Sequence, residues 1–442
     1  MRRCVVLLAI ALGACGDNLP QVNELEIVGH SDLGARGMFA AIAVAGDIAY
    51  VGSRNDKKGV LIVDLSDPKA PAVVGEIGPP DAALPRMSPR ELRVVPDLNL
   101  LVVLNMVCGD EQHGCASTGV AEPENLRFFD ISNRRAPVAL STVTIAGDGI
   151  RTARSPHEFF LWRDGARVLV FIAAPPGPPS VEVLDATDPR NVVRAAQWEP
   201  TREGVVKLSD DYNIHSVGVS PDGNTMYVSH LKAGLLLADV SDLANVHLIT
   251  PPPQALTWPP LSSKGPHSAV PLVGREHILV LTEEVYPVPL GPGCPWGYLR
   301  TADVSDPTRP VLLGEFKIPE NDPSYCANVA IDAKLAFTAH NVTATKNLAF
   351  VTWYAGGLHV VDVSDPALPV GIAELRPTPV PNVEYEDPTL GAHPVSMWSY
   401  PVIQDKLIYV IDSRNGLYVL EYHGKFEDEL AADVFNEGNS NR

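Results

Sequence analysis

Apolar and polar positions alternate along this chain in short runs, and the runs recur. Val60-Leu61-Ile62-Val63-Asp64-Leu65-Ser66-Asp67-Pro68 is one; Leu358-His359-Val360-Val361-Asp362-Val363-Ser364-Asp365-Pro366 is another. Related phrases place their first acidic residue at Asp64, Asp130, Asp185, Asp239, Asp303, Asp362 and, in a degenerate last copy, Glu421. Runs of four to six residues with period-two alternation, bounded by Asp, Pro, Gly and Ser, predict strands. Recurrence at roughly 55–65 residues predicts a radial array of β units rather than separate domains.

Within a unit the order is constant. In the sixth, His340–Ala344 alternates, Lys346-Asn347 turns, Leu348–Tyr354 returns, Leu358–Val363 is a third strand and Val370–Leu375 a fourth. The Ser-Asp-Pro between the last two suits a turn: proline presets φ and the Asp carboxylate accepts from nearby backbone N–H groups. Seven units of four antiparallel strands predict an all-β fold, a seven-bladed β-propeller over 23–423. The seventh unit lacks a fourth strand downstream. Leu25–Val28 resembles other fourth strands and is expected to pair with Leu417–Tyr422, closing the ring. Residues 424–442 read as an acidic polar tail.

The two quoted phrases are similar to the LVIVD repeat, found in secreted and surface propellers of bacteria and archaea. The resemblance implies the propeller fold and an exported protein; it implies no particular chemistry.

The N-terminus changes the picture of where the chain works. Arg2 and Arg3 precede the apolar run Val5–Leu12, and Leu12-Gly13-Ala14-Cys15 resembles a bacterial lipobox. The expectation is a signal peptide over 1–14, lipidation of Cys15, a linker over 15–22, and attachment to the bacterial cell envelope, with Gly16 favouring the outer membrane. Loss of Arg2 and Arg3 takes the formal charge from −19 to −21. Such an acidic body excludes nucleic acid as a natural partner, and the chain is expected to act as a monomer. Cys108, Cys115, Cys294 and Cys326 in an oxidising compartment predict two disulfides, Cys108–Cys115 and Cys294–Cys326.

Candidate chemistry lies on the innermost strands. Aligning the first strand of each unit brings Ala40, Arg90, His157, His215, His267, His340 and His393 to one level of the channel. The long connections (107–125, 199–213, 251–265, 285–298, 318–338 and 376–392) share that face. Trp353, Tyr354 and Trp398 belong to it, either as channel-mouth groups or as packing between blades. The remaining histidines, among them His230 and His359, read as surface residues.

Imidazoles in this number suit copper or zinc, with Glu91, Glu158, Asp210 and Asp211 as ligands or supports. Arg90 pulls the other way, toward a carboxylate or oxyanion. Two functions follow. One is a binding module that takes a protein, glycan or small molecule on its loop-rich face. The other is a metal-dependent oxidoreductase of copper type; histidine-lined propeller channels are similar, on fold alone, to copper enzymes of the methanethiol oxidase and selenium-binding group. A third reading leaves the histidines as repeat architecture.

Overall fold

The computed structural model describes residues 24–78, 87–107, 124–145, 156, 158–173, 180–204, 214–258, 265–286, 293–328, 335–387, 395–432, 435–437 and 440–441. It is a seven-bladed β-propeller of four-stranded antiparallel blades. Blade one is Phe39–Ala45, Ile48–Ser53, Val60–Asp64 and Ala72–Ile77. Its inner three strands are buried on both faces, because each blade stacks between two others; only the outer strand is exposed or half-buried along its whole length. This is why the third strands read as unbroken apolar runs. No helix of the described residues is long and apolar enough to cross a membrane.

The repeated acidic phrase is explained by hydrogen bonds. Asp64 accepts from the Ser66 N–H at 2.9 Å and Asp67 from the Lys69 N–H at 3.0 Å. Asp303 with Ser305 and Asp306 with Thr308 repeat the pair in blade five, and Asp362 with Ser364 and Asp365 with Ala367 in blade six. The turn proline then serves the next contact. Its carbonyl accepts a hydroxyl from the preceding blade, Ser141 onto Pro189 and Thr250 onto Pro307, each at 2.6 Å. The phrase is thus a local cap and an inter-blade clasp together.

Both chain ends take part in closure. Leu25–Ser31 pairs antiparallel with Gly416–Tyr422, Leu25 opposite Tyr422 and Ser31 opposite Leu417, and becomes the outer strand of blade seven. At the other end, part of the segment read as a polar tail is built into the fold. Glu429 accepts from the Asn347 N–H at 3.0 Å and from its side-chain amide at 2.6 Å. Leu430 and Phe435 are buried against blades six and seven. Asn436–Glu437 then pairs with Thr343 and Ala344 on the inner strand of blade six. Ser440 pairs with Leu161 on the inner strand of blade three. The tail therefore crosses the channel and joins two blades into one hydrogen-bonded sheet.

Cys294 and Cys326 form the expected disulfide, with Cα atoms 5.7 Å apart. Cys15, Cys108 and Cys115 lie outside the described residues.

Candidate metal centre in the channel

The first-strand position aligned in the sequence has a structural signature. In three blades it falls within a register shift of the inner hairpin: Ala40 between Phe39 and Ile42, Arg90 between Pro89 and Glu91, His215 between Ile214 and Ser216. A β-bulge turns the extra residue out of the ladder and re-aims its side chain. His267 and His340 open their strands by donating backbone N–H groups to Thr282 and Thr352 at 2.7 and 2.9 Å.

Three of the five aligned histidines converge. The rings of His215 and His267 are 4.2 Å apart between centroids, and those of His267 and His340 are 4.0 Å apart. Their Nε2 atoms gather around Glu284, which the sequence reading missed. His215 Nε2 and His267 Nε2 lie 3.3 and 3.7 Å from Glu284 Oε2, and His340 Nε2 lies 3.3 Å from Oε1. Glu158 joins from blade three, 3.3 Å from His267 Nε2. All five side chains are buried. His157 and His393, with Asp210 and Asp211, lie outside the described residues.

Glu284 follows strand two of blade five, on the loop-rich face. Its neighbour Glu283 points the opposite way and meets Arg300 at 2.7 Å. Adjacent extended residues face opposite sides, so the Glu-Glu pair serves two neighbourhoods. That pair was the one available signal for Glu284; the repeat contains no equivalent of it.

Phenols complete the surroundings. The Tyr354 hydroxyl donates to Glu284 Oε1, and the Tyr286 hydroxyl lies 3.1 Å from His215 Nε2. His340 Nδ1 lies 2.5 Å from the carbonyl oxygen of Trp398. A carbonyl can only accept, so Nδ1 carries a proton, and Nε2 is the nitrogen that faces Glu284. Trp398 is therefore a channel-mouth group, its ring edge-on to His340. Trp353 is fully buried between blades, with its indole N–H on Phe337.

Charge and burial compete here. Burial pushes the Glu284 carboxyl up, but His340, His267 and His215 outweigh it and hold the group well below the ordinary range. Burial pulls His340 down, while Glu284 and then Glu158 lift it to a net rise. Tyr354 and Tyr286 stand well above ordinary phenols through burial and the nearby Glu284.

Glu91 and Arg90 sit beside the cluster. Glu91 pairs with Arg93 at 3.3 Å, and burial raises it to about 7 against that pairing. Burial lowers Arg90 to about 9, with Arg54 adding to the effect while Asp387, Glu91 and Tyr354 oppose it. His230 and His359 are buried, not at the surface. His230 Nδ1 accepts the Ala233 N–H at 3.0 Å, and His359 packs edge-on to Trp353. Both lie on strands covered by the next blade.

No curated protein matches the chain. The model of the LVIVD repeat matches at residues 36–77, 294–317 and 338–373, within blades one, five and six. These three segments are LVIVD repeats, and each is folded into a blade of the β-propeller.

Proposed function

We propose that this propeller is a binding module centred on a divalent transition metal, copper or zinc, held by His267, His340 and Glu284, with His215 and Glu158 adjoining through His267. The spacing of the donors carries the reading. Four donor pairs lie 3.3, 3.3, 3.3 and 3.7 Å apart. These separations exceed the roughly 2.7–3.2 Å of an N–H···O bond. With metal–ligand bonds of about 2.0–2.2 Å, donors around a tetrahedral ion lie ~3.3–3.6 Å apart. Imidazole with carboxylate is a donor set that zinc and copper both accept. Within this reading the carbonyl of Trp398 and the hydroxyl of Tyr354 orient His340 and Glu284.

Elemental analysis of the purified full chain tests it. About one equivalent of metal per chain is expected, with at least a tenfold loss in His215→Ala/His340→Ala at unchanged far-UV circular dichroism. A wild-type protein that retains no zinc or copper after loading and desalting overturns the proposal.

The same proposal places the propeller on the bacterial envelope through a lipid on Cys15, supported by Leu12-Gly13-Ala14-Cys15. Cys15→Ser should move the protein from the membrane fraction to the soluble periplasmic or secreted fraction. An unchanged membrane fraction overturns the anchor.

A further inference from the structure

The face of the tight turns carries a rim of apolar side chains. Large apolar residues scattered singly over a surface need no explanation. Here all ten that are exposed among the described residues lie on one half of the ring. Val138, Val193, Val311 and Val370 open the outer strands of blades two, three, five and six, each opposite the Asp that ends strand three. Val73, Val74 and Leu312 fall within the first three residues of their outer strands, and Ile27 is the third residue of the closing strand. Leu368 donates its N–H to the Asp365 carbonyl in the turn of blade six, and Leu98 lies in the turn between strands one and two of blade two. Val138 is 61% and Leu368 69% exposed, so these side chains protrude and are not margins of the core. Blade four interrupts the rim, opening its outer strand with the exposed His247.

We infer that this rim rests on a lipid bilayer, its valines and leucines entering the headgroup region. Charge on the face is balanced turn by turn. Asp67, Asp188 and Asp306 accept backbone N–H groups of their own turns, while Lys69, Arg190 and Arg309 beside them are exposed. Apolar side chains flanked by bases bind a bilayer interface with a strength that grows with the apolar area buried, and long basic side chains keep their charge at headgroup level. Two observations favour lipid over a protein partner. The closing strand begins on this face, Leu25 opposite Tyr422, so a lipid on Cys15 joins the chain on the rim's own side. The apolar residues are also spread blade by blade around a perimeter, which suits a fluid plane, whereas protein partners use one contiguous patch. The choice of a bilayer rests on the anchor reading; the rim itself does not. Alone, such contact is weak and reversible and leaves an unlipidated chain in the soluble fraction. Beside a tether, the high local concentration of lipid makes it persistent.

The test is flotation of the full Cys15→Ser chain, which carries no lipid, with concentrated phosphatidylethanolamine–phosphatidylglycerol vesicles. A bound fraction is expected at high lipid, lost again on dilution. Val311→Ser/Leu312→Ser/Leu368→Ser/Val370→Ser should lower the vesicle partition coefficient at least roughly fivefold, and Val73→Ser/Val74→Ser/Val138→Ser by a similar factor on the other side of the ring. Lys57→Ser, on the face of the long connections, should leave it unchanged. All the replaced rim side chains are exposed, so both variants should keep a cooperative melt; two independent sets keep the test decisive if one does not. No flotation at any lipid concentration overturns the inference, as does equal flotation of the folded variants and their parent. A concentration-dependent dimer in sedimentation velocity that the same substitutions abolish would assign the rim to a second copy of the chain and also overturns it. Membrane fractionation of wild type against Cys15→Ser reads the anchor separately, so flotation without an anchor and an anchor without flotation are distinct results.

Discussion

Three imidazoles and a phenol aim at the one carboxylate of Glu284. Glu284→Gln keeps the volume and removes the charge. It should lower zinc or copper affinity by about 10–100-fold, read by competition with a chromogenic chelator. Tyr354→Phe strips a donor from the same buried oxygen and should cost about 1–3 kcal/mol in chemical unfolding. His359 tests a different physics. Burial holds its imidazole neutral, down to about 3, with Arg376 adding to the effect; Glu374 lies 3.6 Å away but is half in solvent and does not offset it. Because the folded value lies below the unfolded one, His359 favours the folded state fully above pH ~6.5, and that advantage falls as pH drops toward 3. Urea unfolding at pH 7 and pH 4.5 should show a steeper acid loss in wild type than in His359→Asn. Parallel losses would remove His359 as the cause.

Strands and turns were the legible part of this chain. Each blade repeats the same alternation and the same capped turn, so one phrase announces four strands and the turn between the last two. The closing strand was legible too, since Leu25–Val28 has the pattern of an outer strand with no hairpin partner nearby. It contains Gly29, which meets the carbonyl oxygen of Pro68 in blade one; a Cβ there would stand 2.0 Å from that oxygen. Gly29→Ala should therefore wedge blades seven and one apart and cost roughly 2 kcal/mol or more by thermal melting, although alanine suits a strand better than glycine. A melt within error of wild type would show that the two blades separate without penalty. Side chains outside the repeat were harder to read. Register alone placed Arg90, His215, His267 and His340 together, but Glu284 and Tyr286 follow a strand on a connection whose course no periodicity specifies.

At the scale of the molecule, the ring is held at its rim by one terminus and across its bore by the other. The second hold escaped sequence reading because Asn436–Glu437 and Ser440–Asn441 are two-residue strands, too short to carry a period. Truncation after Ala432 removes the buried Phe435 and both pairings. It should lower stability by about 2 kcal/mol or more and, if the proposed metal is held, speed its extraction by chelator, since the channel opens at its second end. The rim strand has a separate consequence. Leu25 pairs with Tyr422, which ends at the tight-turn face, whereas Ser31 ends by the long connections. The chain thus enters the ring on the tight-turn side. With Cys15 lipidated as proposed, nine residues separate the lipid from Leu25, a tether of at most roughly 35 Å. The propeller would then stand close to the bilayer with its tight turns toward the lipid and its channel mouth turned outward. A fluorophore at exposed Asp365, in a tight turn, should be quenched by lipid-borne quenchers more strongly than one at Lys58 on the opposite face; the reverse order would mean that the mouth faces the membrane.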